Sequence, residues 1–297
     1  MEIPRFLKPI HSFLAGLERW PKECFALYRR QNGVWKALPQ PFWCYRADPF
    51  EVHWQGQDWV FYEEFVYHRN KGRLGASRLD GSGAVTVLDL DYHLSYPQVF
   101  AWNGQLWMVP ESCHAGVVDL YVCEQFPARW RRVRRLLSGV DAADATLLRE
   151  AERWWLFASV RPNSHTQRRL EIHFCDDLLE GAWRPHPVNE KALYAGLAHS
   201  TGRCAGPFLQ RQGLWHRPIQ RSLDYYGQGM ALMQLETLTE LDFCERQVIV
   251  PELPWAWSHH YCAGRQGEWA NRKERWAYFR ARIDLPEPAM DGPGSAP

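Results

Sequence analysis

No stretch of about 20 consecutive apolar residues occurs in the sequence, so no segment is long enough to cross a membrane as a helix. Nor is there an excess of one charge. Lys and Arg total 35 against 34 Asp and Glu, which argues against a nucleic-acid partner, because such binders carry a basic surplus. The one basic run, 129–135, reads as an exposed strand alternating with buried Trp130 and Val133. The 8 cysteines include no Cys-x-x-Cys pair, and their spacing fits no zinc site. The N-terminus lacks the order of a secretory signal. These absences lead us to expect a reduced, cytoplasmic protein with free, mostly buried thiols. There is also no phosphate-cradling glycine loop, nucleophile elbow or redox motif. No cofactor and no metal are expected; His259 and His260 with an acid have no ligand spacing to support a metal site.

Aromatic residues, in contrast, are abundant: 14% of the chain, with 16 tryptophans. Most should fill the space between sheets. Those near a pocket mouth can stack on sugar faces. The organising stretch is Tyr45-Arg46-Ala47-Asp48-Pro49-Phe50, then Gly56, then Trp59-Val60-Phe61-Tyr62-Glu63-Glu64-Phe65. It reads as a hairpin whose free ends carry carboxylates. A turn centred near Gly56 sets residue 48 opposite residue 64.

This design recurs. Tyr96-Pro97-Gln98 leads to Asn103-Gly104 and then 106–111. Asp144-Ala145-Thr146 leads to 150–152 and then 154–160. Gly206-Pro207-Phe208 leads to Gln212-Gly213 and then 214–220. His259-His260-Tyr261 leads to Gln266-Gly267 and then 268–270. A period of roughly 50 residues in about five copies is the spacing of propeller blades. Third strands are expected at 73–79, 117–124, 170–175, 228–235 and 275–283. Fourth strands are expected at 84–90, 130–136, 183–187 and 244–250. The last copy lacks a clear fourth strand, and the hairpin 24–38, with its Asn32-Gly33 turn, is placed to complete it and close the ring. The expected fold is all-β: a five-bladed propeller over 24–285, a short helix within 1–23 and a disordered tail at 286–297. A weak membrane-surface contact through residues 5–19 is the second use of that helix.

In a propeller the first strand of each blade lines the axis. The repeat therefore brings Asp48 with Glu63 and Glu64, His93, Tyr96, Glu111, Asp144 with Arg161, Arg203 with Arg217 and Gln220, and His259 with His260 to one funnel. Acids from different blades across a small gap are what glycosidic chemistry needs. One protonates the leaving oxygen, and another activates water or attacks the anomeric carbon. Crowded carboxylates also drive one another's pKa values apart. Each residue has a structural alternative. Asp48 before Pro49 is a turn former. Glu111 and Glu64 are candidate ion-pair partners of Arg203, Arg217 or Arg46. Arg217 and Gln220 serve either substrate hydroxyls or buried backbone. His93 and His260 serve as hydrogen-bond partners.

The motifs Ala47-Asp48-Pro49-Phe50, Tyr62-Glu63-Glu64-Phe65, His93-Leu94-Ser95-Tyr96-Pro97, Met108-Val109-Pro110-Glu111-Ser112, Asp144-Ala145-Thr146-Leu147 and Arg217-Pro218-Ile219-Gln220 resemble a bacterial family of five-bladed propellers. That family is similar to the N-terminal domain of plant glucosamine inositolphosphorylceramide transferase. More distantly it resembles the arabinanase, xylosidase, levansucrase and invertase glycosidases. The resemblance implies Asp48 as base or nucleophile and Asp144 as modulator; Glu111 or Glu64 has to substitute as acid, and His93, Tyr96, Arg203, Arg217, Gln220 and His260 are expected, from their place on the rim, to bind substrate. It also implies surface-polysaccharide metabolism. The fourth copy departs from the glycosidase pattern: Arg203-Cys204-Ala205-Gly206 holds no acid where those enzymes carry theirs. The expected partner is a sugar or glycan. A nucleotide-sugar donor is an additional expectation, its diphosphate met by the rim arginines. A non-catalytic glycan-binding propeller, and a scaffold whose rim acids are closed by Arg203 and Arg217, are the rival readings.

Overall fold

Two-residue turns with both central residues at positive φ set the hairpins. Asn32-Gly33 (φ 50 and 80), Gln55-Gly56 (49 and 73), Asn103-Gly104 (48 and 70) and Gln212-Gly213 (53 and 78) share this geometry. It matches the right-handed twist of the strands it joins. The third hairpin reaches the same conformation with Ala151-Glu152.

The computed structural model describes residues 24–163, 168–191, 202–222, 226–250 and 258–274. An N-terminal hairpin pairs β1 (Phe25–Gln31) with β2 (Val34–Ala37). Blade one runs β3 (Cys44–Trp54), β4 (Gln57–Val66), β5 (Lys71–Arg78) and β6 (Val85–Leu88). Blade two runs β7 (Ser95–Trp102), β8 (Gln105–Glu111), β9 (Val117–Gln125) and β10 (Arg129–Ser138). Blade three runs β11 (Asp141–Glu150), β12 (Arg153–Arg161), β13 (Arg169–Cys175) and β14 (Arg184–Pro185). Blade four runs β15 (Leu209–Arg211), β16 (Leu214–Arg221), β17 (Gly229–Leu238) and β18 (Phe243–Val248). Last come β19 (Tyr261–Ala263) and β20 (Glu268–Lys273).

The fifth sheet has the order β19-β20-β1-β2, so the two ends of the described chain share one blade. Pairing from Phe25↔Lys273 to Arg30↔Glu268 closes the ring and covers the β20 edge. The hairpin therefore supplies the third strand as well as the fourth. β1 holds the place expected for 275–283, which lies outside the described residues. The helix expected within 1–23, the surface contact through 5–19 and the tail also lie outside them. Among the described residues the helical pieces are short 3-10 turns at Tyr67–Arg69, Cys113–Ala115 and Pro187–Lys191. No helix among them is long and apolar enough to cross a membrane.

The core lies between neighbouring blades. Phe50, Phe61, Leu74, Leu94 and Met108 pack blade one on blade two. Val109, Leu120, Leu147 and Leu156 pack blade two on blade three. Leu27, Val60, Tyr62 and Trp269 seal blade five to blade one. Outer strands are exposed. In β10 the bulge between Arg132 and Arg134 leaves Val133 39% exposed, where simple alternation places it inside. All eight cysteines are free; Cys44, Cys175, Cys204 and Cys262 are buried.

Candidate functional site

A bulge breaks the first hairpin of blades one, two and three at the same place. Pairing jumps between Ala47 and Phe50, between Ser95 and Gln98, and between Ala143 and Thr146. At each jump a non-glycine residue takes the left-handed conformation: Asp48 (φ 52), Tyr96 (φ 46) and Asp144 (φ 49). Such a conformation costs free energy and persists where the surroundings fix it. Here it turns three side chains inward.

Each bulge is tied to its neighbour by a carboxylate. Asp48 Oδ2 accepts from Tyr96 N at 3.2 Å, and Glu111 Oε2 accepts from Asp144 N at 2.8 Å. Asp48 Oδ1 faces His259 Nε2 at 3.1 Å and His260 Nδ1 at 3.6 Å. Arg203, before β15, joins Asp144 through Nε–Oδ2 and through Nη2–Oδ1 at 3.3 Å. The same Nη2 lies 3.6 Å from Glu111 Oε2. Gln220 Nε2 donates to Asp144 Oδ2 at 2.7 Å. The Tyr226 ring lies against the Arg203 guanidinium at 5.3 Å and against His259 at 4.9 Å.

The four buried acids divide by environment. Burial opposes charge on Asp48, but the His259 hydrogen bond and the fields of His259, His260 and Arg203 hold its carboxyl below the usual range. Glu111 is likewise held down against burial, by Arg203 and by hydrogen bonds from Asp144 and Cys113. Burial pushes Asp144 well up against the pull of Arg203, with Glu111 adding to the rise. Burial, then the charges of Asp48, Glu111 and Asp144, push Glu63 well up. Burial also drives His260 down to about 4, so it is neutral at pH 7. The funnel thus holds two carboxylates that favour charge and two carboxyls that favour the proton.

Asp48, Glu111, Asp144, Arg203, Gln220 and His260 therefore converge, with His93 beside them. Four expectations need correction. Glu64 does not face residue 48: it pairs with Arg46, one step of the shift coming from the two-residue turn at Gln55-Gly56 and one from the bulge. Its two oxygens are held by Arg46 (3.2 Å) and Arg73 (2.6 Å). Glu63 is the one that joins the cluster. Arg217 is fully buried and bonded to Glu245, Gly202 O and Cys204 Sγ, so it braces blade four. Tyr96 is a strut. Its hydroxyl accepts from Gly206 N at 2.9 Å and contacts Thr146 Oγ1 at 2.8 Å, linking blades two, three and four. Arg161, expected beside Asp144, instead lies 3.7 Å from Asp141. His259, the direct partner of Asp48, was legible as a rim position without a role. Tyr226 was missed; it sits between β16 and β17, where no repeat marks it.

In blade four the segment 203–206 carries no acid. A Cβ on Gly206 would lie 1.8 Å from Tyr261 O, so no side chain fits there. Among the described residues no three of His, Cys, Asp or Glu are grouped to hold a metal ion.

The profile of a family described as "Glucosamine inositolphosphorylceramide transferase 1, N-terminal" matches residues 38–256. The chain is similar to glucosamine inositolphosphorylceramide transferase 1 of Arabidopsis thaliana, 27% identical over 250 residues, covering 78% of this chain and 32% of that protein. The protein of that name from Oryza sativa subsp. indica is 30% identical over 207 residues, covering 67% of this chain and 27% of that protein. The chain thus spans about a third or less of the length of the curated relatives it matches. Among solved structures, an alpha-L-arabinofuranosidase from Lactobacillus brevis superposes with TM-score 0.52 at 15% identity, covering 77% of this chain and 83% of that one. An alpha-L-arabinanase from Cellvibrio cellulosa superposes with TM-score 0.51 at 15% identity, covering 74% and 87%. At these identities the likeness shows the fold.

Proposed function

The chain belongs to the glucosamine inositolphosphorylceramide transferase 1 N-terminal family, and from that premise we propose that its propeller is carbohydrate-active, forming or cleaving a glycosidic bond in the funnel. The supporting observation is the convergence of Asp48, Glu63, Glu111 and Asp144 with their proton affinities split in two directions. Such a split is what acid–base chemistry on an acetal requires. Asp48 is the base or nucleophile: it favours charge and is oriented by Tyr96 N and His259. Arg203 and Gln220 hold Asp144, which modulates the pair.

The names of the curated relatives and of the structural neighbours all concern sugars, which supports a glycan substrate. Transfer between sugars or hydrolysis suits the site better than a nucleotide-sugar donor. Of the rim arginines expected to meet a diphosphate, Arg217 is committed to Glu245 and Arg203 to Asp144 and Glu111, and Arg161 lies beside Asp141. A surface-glycan precursor met in the cytoplasm is the setting we assign, on the family resemblance.

Asp48→Asn tests the reading. Asn keeps the left-handed backbone accessible. Sugar release and sugar transfer, measured across a glycoside panel, should fall about 10²–10⁴-fold. Wild-type rates in the variant would end the proposal. The second reading, glycan binding without turnover, is favoured by the Arg203 ion pairs that occupy Asp144 and Glu111. It predicts affinity that survives the substitution and no turnover in either protein.

A further inference from the structure

We infer that Glu63 is the proton donor of this site, in place of the acid that the fourth blade lacks. The inference rests on the glycosidic reading above. Glu63 is 5% exposed, and its Oε1 has no hydrogen-bond partner. Its polar neighbour is His93, whose Nε2 lies 3.4 Å away without hydrogen-bond geometry. A buried carboxylate left so lightly compensated is costly, whereas a neutral carboxyl is tolerated. Glu64, one residue on, shows the contrast, with a guanidinium on each oxygen.

The surroundings keep that proton in place. Gly72 N donates to His93 Nδ1 at 3.0 Å, which puts the ring proton on Nε2, facing Glu63 Oε1. A Cβ on Gly72 would sit 2.7 Å from Glu63 Oε1 and 2.8 Å from His93 Cε1, so the missing side chain makes the space in which they meet. The groups whose charges reach Glu63 are Asp48 on β3, Glu111 on β8 and Asp144 on β11, which raise its proton affinity, and Arg203, which lowers it. Tyr45 and Tyr226 flank it. With Oε1 turned to His93, the proton is carried on Oε2.

In the step assigned to it, Glu63 Oε2–H gives its proton to the glycosidic oxygen as the bond from C1 to that oxygen breaks. The bonding pair leaves with the oxygen, the leaving group departs as an alcohol, and Glu63 remains as carboxylate. The oxygen of water or of a sugar hydroxyl bonds to C1, and its proton passes to Asp48. Solvent returns a proton from Asp48 to Glu63 before the next turnover.

Two measurements decide this. Protein labelled with ¹³C at the glutamate side-chain carboxyl is titrated by NMR, and the resonance absent from E63Q is assigned to Glu63. Its midpoint should lie well above the usual glutamate range. A midpoint within that range, or a wild-type spectrum in which no glutamate titrates high, overturns the assignment even where E63Q does not fold. The second arm compares E63Q with wild type on 2,4-dinitrophenyl and phenyl glycosides. A lost proton donor costs about 10²–10⁴-fold on the phenyl substrates and less than about tenfold on the dinitrophenyl ones, whose leaving group needs no proton. Equal losses on both overturn it. Failure of wild type to turn over any glycoside counts against the function proposed above, while the titration arm still decides where the proton sits.

Discussion

Asp144 donates its backbone N–H to Glu111 Oε2 at 2.8 Å, from one blade to the next. Asp48 and Tyr96 N repeat the relationship one blade earlier, with the acid now on the first strand. Acid groups thus stitch neighbouring bulges together, while their other oxygens meet His259 and the Cys113 thiol. The proposed chemistry and the ring geometry share the same atoms, and a substitution here is read in both.

Arg203 is the cation that lets Glu111 and Asp144 stay together. Arg203→Gln leaves the Glu111 carboxylate buried and uncompensated, which should cost about 3–5 kcal/mol at neutral pH. Glu111 has a lowered folded-state pKa, so its contribution is present above its unfolded value and is lost as pH falls through the folded one. The deficit of the variant should therefore shrink on acidification. Urea denaturation at neutral pH and near pH 4 checks this; an unchanged deficit would show that Arg203 acts through packing.

Glu63 gives the opposite sign. Its folded-state pKa is raised, so its contribution is present below the unfolded value near 4.5 and is lost as pH rises toward the folded one. E63Q, which cannot ionise, should match wild type near pH 4 and become progressively the more stable protein as pH increases. Thermal unfolding across that range gives the sign directly. A gap that narrows with rising pH would mean that Glu63 is ionised and stabilised in the fold.

Arg217 should behave as a brace. Its guanidinium and the Glu245 carboxylate are both buried. Arg217→Met should destabilise by about 3–5 kcal/mol, since it strands a buried carboxylate. Pairing it with Glu245→Leu should recover most of that loss, because well-packed apolar replacements of an ion pair are commonly tolerated. Glycan affinity of the double variant, measured by calorimetry, should equal that of wild type. A loss of affinity beyond the loss of folded protein would return Arg217 to the binding surface.

The ring was legible in the sequence because its signals are local and repeated. Asn32-Gly33, Gln55-Gly56, Asn103-Gly104 and Gln212-Gly213 announce hairpins at regular intervals, and the inner-strand positions of Asp48, Tyr96 and Asp144 follow from them. The choice between Glu63 and Glu64 was not legible. It depends on the turn, which uses the two residues Gln55 and Gly56 and pairs Trp54 with Gln57, and a slip of one residue exchanges the two faces of a strand. Arg217 misled for a related reason. Its partner Glu245 lies two strands away on β18, beyond the reach of hairpin arithmetic. Tyr226 stands in an irregular connection, where position in the repeat carries no information.

The closure of the ring makes a final prediction. Leu27 on β1 is 1% exposed and packs with Val60, Tyr62, Cys262 and Trp269, so one side chain bridges the N-terminal hairpin, blade one and the C-terminal strands. Leu27→Ala should cost about 2–5 kcal/mol, as for other large-to-small core changes. Removing residues 24–37 should cost more, because it also strips the ladder from Phe25↔Lys273 to Arg30↔Glu268 and leaves β20 as an open edge. That protein should unfold at lower temperature, associate in a concentration-dependent way, and bring His259 and Asp48 out of register, since both sit at the junction of blades five and one. Differential scanning calorimetry with light scattering reports the first two effects. A truncated protein that keeps its unfolding temperature and stays monomeric would show that the ring holds without its first two strands.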